Sequence, residues 1–214
     1  MFELQFILLF NPYISKTLME TLRLFDIQLV EWANILAGQY VAIDTTLKLV
    51  TSDYLVPLLL GLTLLILWFS GDDRFYRQRN QNSVLTAVIA LGIANLTVLI
   101  INDFYFRARP FDEIELSLLF YLPTDSSFPS NPAAASTALA FSIFREKKTL
   151  GTITIVLALL WSMSRMVAGV SYFSDIVAGV SIGIASSYIS SLLLLKIKPI
   201  PDLLIRILRI IHIA

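Results

Sequence analysis

The segment Ser83–Ile101 reads SVLTAVIALGIANLTVLII and contains no charged side chain. A helix needs about 20 consecutive apolar residues to cross the hydrocarbon core of a bilayer, so this segment predicts a transmembrane span. The composition of the whole chain agrees, because 57% of its 214 residues are hydrophobic and only 15% are charged. Soluble domains contain about a quarter charged residues. We therefore predict an all-α integral membrane protein.

Further apolar segments predict additional spans, which gives a helical bundle of about five. These segments are Tyr54–Ser70, Pro132–Lys148, Thr149–Ser164 and Ile176–Leu195. The segment Pro132–Lys148 is short and rich in alanine and serine. It is expected to pack among neighbouring helices rather than to face lipid, because small residues let helix backbones approach closely.

Both ends of the chain are expected to lie in the membrane interface. Four charged side chains fall between Phe25 and Val50, and charge is costly at mid-bilayer, so residues 1–52 predict two short interfacial helices instead of a sixth span. In residues 197–214 the charged residues Asp202, Arg206 and Arg209 share one helical stripe, which predicts an amphipathic tail. Residues 53–196 then form the transmembrane bundle.

The distribution of basic residues predicts the orientation in the plasma (cytoplasmic) membrane. With five spans, ten of the 16 lysine and arginine residues fall on the side reached after the first span. The positive-inside rule makes this side cytoplasmic, and it includes the C-terminus. The opposite side faces outward.

The composition also excludes several kinds of chemistry. The chain has no Cys and a single His, His212, near its C-terminus. Thiolate metal sites, Cys nucleophiles and a His-based active site in the body of the chain are therefore excluded, and no metal or other cofactor is expected. Basic and acidic residues balance at 16 each, so the chain has no overall basic surface of the kind that binds nucleic acid.

Three segments that are distant in sequence fall on the outward side if the five-span topology is correct. They are Asn102–Pro110, Ser127–Ala135 and Ser164–Asp175. No span separates the first segment from the second, and two spans separate the second from the third. All three segments therefore lie on the same membrane face. The sequence therefore predicts one shared site at this end of the bundle.

These segments resemble the three signature motifs of the type 2 phosphatidic acid phosphatase (lipid phosphate phosphatase) superfamily, Lys-x6-Arg-Pro, Pro-Ser-Gly-His and Ser-Arg-x5-His-x3-Asp. The residues that match are Arg109-Pro110, Pro129-Ser130, Ser164-Arg165 and Asp175. The small size and basic tail are most similar to the bacterial undecaprenyl diphosphate phosphatase branch. The resemblance implies a lipid-phosphatase-like bundle in which Arg109, Ser130 and Arg165 bind phosphate.

The positions that depart from the family pattern are those that perform the chemistry. Ser171 stands where the family has its nucleophilic His, and Pro132 stands where the family has the His that protonates the leaving group. Asn102 replaces the Lys of the first motif, while Asp175, which orients the nucleophile in the family, is retained. No residue is therefore assigned a catalytic role, and the phosphohistidine mechanism is excluded because it needs an activated nucleophile and a general acid.

Some side chains have structural interpretations. Asp175 is expected to form an ion pair with Arg165 or Arg109, and Arg107 is a candidate to replace the missing Lys charge. Asn131-Pro132 predicts a helix start with Asn131 as the N-cap. A stripe of small residues at four-residue spacing predicts close helix packing, either inside the chain or against another membrane subunit. It contains Gly179, Gly183 and Ser187.

The sequence thus favours a catalytically inactive lipid-phosphatase-like membrane protein. It would serve as an accessory or structural subunit of a membrane assembly or as a binder of lipid headgroups. Two alternatives remain open. One is an active lipid phosphate or undecaprenyl diphosphate phosphatase with a rebuilt site, and the other is a lipid-phosphate carrier. Membrane lipids, including lipid phosphates, are the expected partners in each case.

Overall fold

The structure is a computed structural model that describes residues 12–197 and residue 205. Residues 12–197 form eight helices and no strand. The helices are α1 (Pro12–Asn34), α2 (Val41–Thr51), α3 (Leu55–Phe69), α4 (Arg74–Phe104), α5 (Pro110–Glu113), α6 (Asn131–Glu146), α7 (Lys148–Val167) and α8 (Phe173–Lys196). His212 and nearly all of the predicted C-terminal tail lie outside the described residues.

Three helices, α4, α7 and α8, are long and apolar enough to cross a membrane. Helices α2 and α3 meet the same criterion together, with a bend of 49° between them. The predicted all-α membrane class is therefore confirmed, and the described residues contain three candidate spans, or four if the bent pair is one span. The prediction of five included α6, whose 16 residues reach only about 24 Å at 1.5 Å per residue, less than the roughly 30 Å hydrocarbon core.

Helix α4 begins nine residues before the apolar segment that predicts it. It starts at Arg74, where Asp73 is the N-cap and its Oδ1 accepts a hydrogen bond from the backbone N–H of Tyr76 at 2.9 Å. A capping carboxylate satisfies a free N–H of the first turn and interacts favourably with the helix dipole. The helix therefore extends through a polar stretch that hydropathy alone does not detect.

The small-residue stripe of α8 packs against α6 inside the chain. A Cβ atom on Gly179 would lie 2.4 Å from the carbonyl oxygen of Ser130, and one on Gly183 would lie 2.6 Å from that of Ala134. Ser187 accepts a hydrogen bond of 2.8 Å from a serine of α6. The absence of a side chain at the two glycines lets α8 approach α6 closely. This contact fixes the position of the α6 N-terminus relative to α8.

The N-terminal region differs from the two short helices predicted for residues 1–52. Helix α1 has 23 residues, and α2 is coupled to α3 across the predicted boundary at residue 52. Asp26 of α1 is buried and accepts a hydrogen bond from the backbone N–H of Ser174 at 3.0 Å. The prediction treated Asp26 as an isolated charge, whereas Arg107 pairs with it at 2.9 Å.

Candidate functional site

A cavity of about 250 Å³ lies at the end of the bundle where α4 ends and α6 and α8 begin. We call it the motif cavity. Residues from all three predicted segments line it, namely Arg109, Ser130, Asn131, Pro132, Arg165 and Ser171. Span parity predicted this convergence, and the structure brings the three segments together. Of the remaining predicted site residues, Asn102 and Asp175 do not line the cavity.

Arg109 reaches the cavity from the residue that immediately precedes α5. Its side chain is buried, and its guanidinium donates to the Val170 carbonyl at 2.6 Å and to the Asp125 carboxylate at 2.7 Å. Nε also donates to the Asp125 carbonyl at 3.1 Å. These bonds hold the guanidinium in one orientation, because a planar donor with several fixed partners cannot rotate freely.

Arg165 reaches the cavity from the last turn of α7. Its Nη1 donates to Asp53 Oδ1 at 2.9 Å, and its guanidinium lies 4.8 Å from the ring centroid of Phe120. Nε is buried and has no hydrogen-bond partner. The other carboxylate oxygen of Asp53 accepts from the Tyr121 hydroxyl at 2.9 Å. Burial and this contact with Asp53 raise the pKa of Tyr121, so the phenol stays neutral at physiological pH.

The two arginines and their carboxylate partners differ in exposure. The side chains of Arg109 and Arg165 are 7% and 5% exposed, whereas those of Asp125 and Asp53 are 62% and 41% exposed. The positive groups are therefore fixed inside the cavity wall, and the negative groups stand at its mouth. The carboxylates are therefore more accessible to solvent than the guanidinium groups with which they pair.

Ser130 presents a buried hydroxyl to the cavity. Its Oγ has no hydrogen-bond partner, while its backbone N–H donates to the Asp175 carbonyl at 3.1 Å. Ser130, not Asn131, occupies the N-cap position of α6, and its side chain does not cap the helix. The predicted cap is thus one residue too late. Because a buried hydroxyl without a partner is costly, Ser130 is suited to donate to a ligand.

Asp175 does not pair with Arg165 or Arg109, contrary to the prediction. It is fully buried and accepts hydrogen bonds from Arg107 Nη1, from the Ser127 hydroxyl and from the backbone N–H of Tyr172. The sequence did not predict the pairing of Asp175 with Arg107, because this pairing depends on the path of the loop after α4. Asp175 therefore belongs to a structural cluster behind the cavity.

Arg107 is the centre of that cluster and does not supply the missing Lys charge to the cavity. It bonds to Asp175 and to Asp26, and its guanidinium lies 4.1 Å from the ring centroid of Tyr172. Burial lowers the pKa of Arg107, but the two carboxylates more than compensate and raise it overall. This arginine remains charged and occupied, so it is unavailable to a ligand.

The positions that depart from the family pattern are occupied by serine, proline and asparagine. Ser171 is buried and lines the cavity, and Pro132 lies in the first turn of α6. Pro132 has neither a side-chain proton nor a backbone N–H. Asn102 lies near the end of α4, with its Oδ1 buried and without a partner. Residues 12–197 contain no His or Cys, and no acidic cluster suited to a metal ion occurs among the described residues.

Sequence reasoning missed Asp53, Asp125 and Tyr121, which complete the cavity mouth. Asp53 directly precedes a predicted span, and the other two lie in the loop before the second motif. Their positions on the same side of the bundle as the three motif segments were predictable from the topology. Their pairing with particular arginines was not, because loop geometry decides which carboxylate meets which guanidinium.

Comparison with known proteins identifies the class that this fold and site define. The family model of the PAP2 superfamily matches residues 83–198, so the chain belongs to the PAP2 superfamily.

The chain is similar to two curated bacterial proteins. It is 30% identical over 129 residues to the bacitracin transport permease protein BcrC of Bacillus licheniformis, covering 60% of this chain and 61% of that protein. It is 27% identical over 148 residues to the undecaprenyl-diphosphatase BcrC of Bacillus subtilis (strain 168), covering 69% and 74% respectively. The match thus spans less than two thirds of the Bacillus licheniformis relative.

Two solved structures share the fold. Aquifex aeolicus LpxE aligns with a TM-score of 0.59 and 25% identity, covering 76% of this chain and 92% of that one. The PAP2 type phosphatidylglycerolphosphate phosphatase from Bacillus subtilis aligns with a TM-score of 0.57 and 17% identity, covering 88% and 90%. This chain is therefore a lipid-phosphatase-like membrane protein of the PAP2 superfamily.

Proposed function

We propose that this protein binds the phosphate group of a membrane lipid in the motif cavity and does not hydrolyse it. The observation that supports the proposal is the meeting of Arg109, Arg165 and Ser130 at one cavity. Guanidinium groups bind phosphate oxygens through paired N–H donors. Arg165 Nε and the Ser130 hydroxyl are buried donors without a hydrogen-bond partner, so both can donate to a phosphate oxygen.

The size of the cavity supports a headgroup ligand. About 250 Å³ corresponds to roughly eight waters at about 30 Å³ each. A phosphate group with a short ester portion fits this space, whereas acyl or prenyl chains must remain outside, in the bilayer. The outward-facing orientation predicted from the basic residues belongs to the same proposal, so the ligand would come from the outer leaflet.

The absence of hydrolysis in this proposal follows from the residues that line the cavity. Phosphoryl transfer requires a positioned nucleophile and a group that protonates the leaving oxygen. Ser171 has no neighbouring His in residues 12–197 to serve as its base, and Pro132 cannot donate a proton. The two arginines can stabilise a bound phosphate, but they supply neither of these functions.

The test is binding of phosphatidic acid to the protein in phosphatidylcholine nanodiscs. Arg165→Gln should weaken binding by about tenfold, because one charge-assisted contact is lost. Arg23→Gln is the matched control, since Arg23 is exposed and pairs with Glu113 outside the cavity. Equal binding by the unaltered protein and Arg165→Gln would refute the proposed site. Arg165→Lys keeps the charge and should bind more tightly than Arg165→Gln.

A further inference from the structure

A second and larger cavity, of about 560 Å³, lies between the N-terminal part of α4 and the C-terminal parts of α6 and α8. We call it the opposite cavity. It shares no lining residue with the motif cavity. On α6, Ala135 lines the motif cavity, and Ser142 and Glu146 line the opposite cavity. Along the helix axis, Ser142 lies about 10 Å and Glu146 about 16 Å from Ala135. The opposite cavity is therefore at the other end of the bundle.

Two arginines, Arg79 and Arg145, line the opposite cavity together with Glu146, and Arg145 is the one of the two that forms no ion pair among the described residues. Its guanidinium donates to the Ser191 hydroxyl and lies 4.9 Å from the ring centroid of Tyr188. Among the described residues, no carboxylate forms an ion pair with it. The neighbouring Glu146 is already bonded to Arg79 Nε at 2.7 Å. Arg145 thus presents an uncompensated positive charge to a cavity that can hold an anion.

Ser83 supplies an independent indication of a ligand. Its side chain is 2% exposed and lines the opposite cavity, and its hydroxyl has no hydrogen-bond partner. A serine inside a helix usually bonds to a backbone carbonyl one turn earlier or to solvent. A buried hydroxyl that does neither is expected to meet a polar group that occupies the cavity.

The apolar residues of the opposite cavity favour an anion that carries hydrocarbon chains. Phe75, Leu194 and Leu195 line the same cavity beside the polar groups. The residues Phe75 and Leu195 are 71% and 68% exposed, so they form an apolar surface at the opening. A free inorganic anion makes no favourable contact with such a surface, whereas the hydrocarbon chains of a lipid can pack against it.

We propose that the opposite cavity binds the phosphate headgroup of an anionic glycerophospholipid, with Arg145 and Ser83 contacting the phosphate. The acyl chains lie along Phe75, Leu194 and Leu195. Arg77 and Lys148 belong to the same end of the bundle and attract anionic lipids to it. The proposal is independent of the proposed function, because it uses a different cavity and different residues.

The experiment is native mass spectrometry of the full chain in mild detergent, titrated with phosphatidylglycerol. We expect one lipid to be retained at this site and Arg145→Gln to weaken its retention by about tenfold. Arg74→Gln is the matched control, because it removes an arginine of the same end that does not line the cavity. Arg165→Gln should leave this lipid in place, which separates the site from the motif cavity.

Two further measurements identify the ligand and separate loss of binding from loss of folding. Ser83→Ala removes a hydroxyl that has no partner in the fold, so folding should survive while lipid retention falls. Inorganic phosphate, tested alone and as a competitor, distinguishes a free anion from a headgroup. The proposal is overturned if Arg145→Gln retains lipid as Arg74→Gln does. Retention of inorganic phosphate that phosphatidylglycerol cannot displace would also overturn the lipid assignment.

Discussion

Replacing Asp53 by Asn should strengthen binding of a lipid phosphate in the motif cavity. Asp53 pairs with Arg165 at 2.9 Å and stands at the mouth of the cavity. A bound phosphate must compete with this carboxylate for the same guanidinium. Asn keeps the shape of the side chain and its capacity to accept a hydrogen bond from Tyr121, so the substitution removes the charge with little other change.

The magnitude follows from the exposure of the pair. Two unit charges about 4 Å apart interact by about 4 kcal/mol at an effective dielectric constant of about 20. Asp53 is 41% exposed, so solvent screening and side-chain entropy reduce the pair to about 1 kcal/mol. Its removal should therefore increase phosphate affinity by roughly fivefold.

The assay is calorimetric titration of phosphatidic acid into protein in phosphatidylcholine nanodiscs. Asp103→Asn is the matched control, because Asp103 is exposed near the same end of the bundle and does not line the cavity. It makes the same change in net charge and should alter affinity by less than about twofold. Weaker binding by Asp53→Asn than by this control would refute the view that Asp53 competes with the ligand.

Three further outcomes are expected. Asp175→Asn should lower the free energy of unfolding by about 1–3 kcal/mol, because it removes one of the two carboxylates that pair with the partly buried Arg107. Denaturation in detergent micelles measures this, and a change below about 0.5 kcal/mol would contradict it. Gly179→Ala should destabilise the protein by about 1–3 kcal/mol, because its Cβ would lie 2.4 Å from a carbonyl oxygen. Gly92→Ala, whose Cβ meets nothing within 4 Å, is the control, and equal thermal unfolding of the two variants would refute the packing argument. The double substitution Pro132→His and Ser171→His should raise phosphate release from phosphatidic acid above that of the unaltered protein, because it introduces both histidines of the family pattern. A correctly folded double variant without such an increase would contradict this expectation.

The transmembrane architecture was predictable where the sequence is uniformly apolar. Ser83–Ile101 predicts the middle of α4 because no charge interrupts it. Hydropathy failed at the polar start of the same helix, which depends on the cap at Asp73. It also gave no indication of the pairing of Asp26 with Arg107, because this contact joins residues that are distant in the chain.

The site was predictable to the extent that motif order and span parity bring its residues together. Arg109, Ser130 and Arg165 were found in this way, and all three line one cavity. The partners of these residues were not found. Asp53 and Asp125 pair with the arginines only because two loops fold over the cavity, and such long-range loop contacts have no periodic signature in the sequence.

Phosphate release tests the central claim most directly. The purified protein in nanodiscs is incubated with undecaprenyl diphosphate and, separately, with phosphatidic acid, beside Arg165→Gln and empty nanodiscs. If the cavity binds phosphate without cleaving it, neither protein releases phosphate above the level of the empty nanodiscs. Release by the unaltered protein that Arg165→Gln abolishes would contradict the account and establish a rebuilt phosphatase site in the motif cavity.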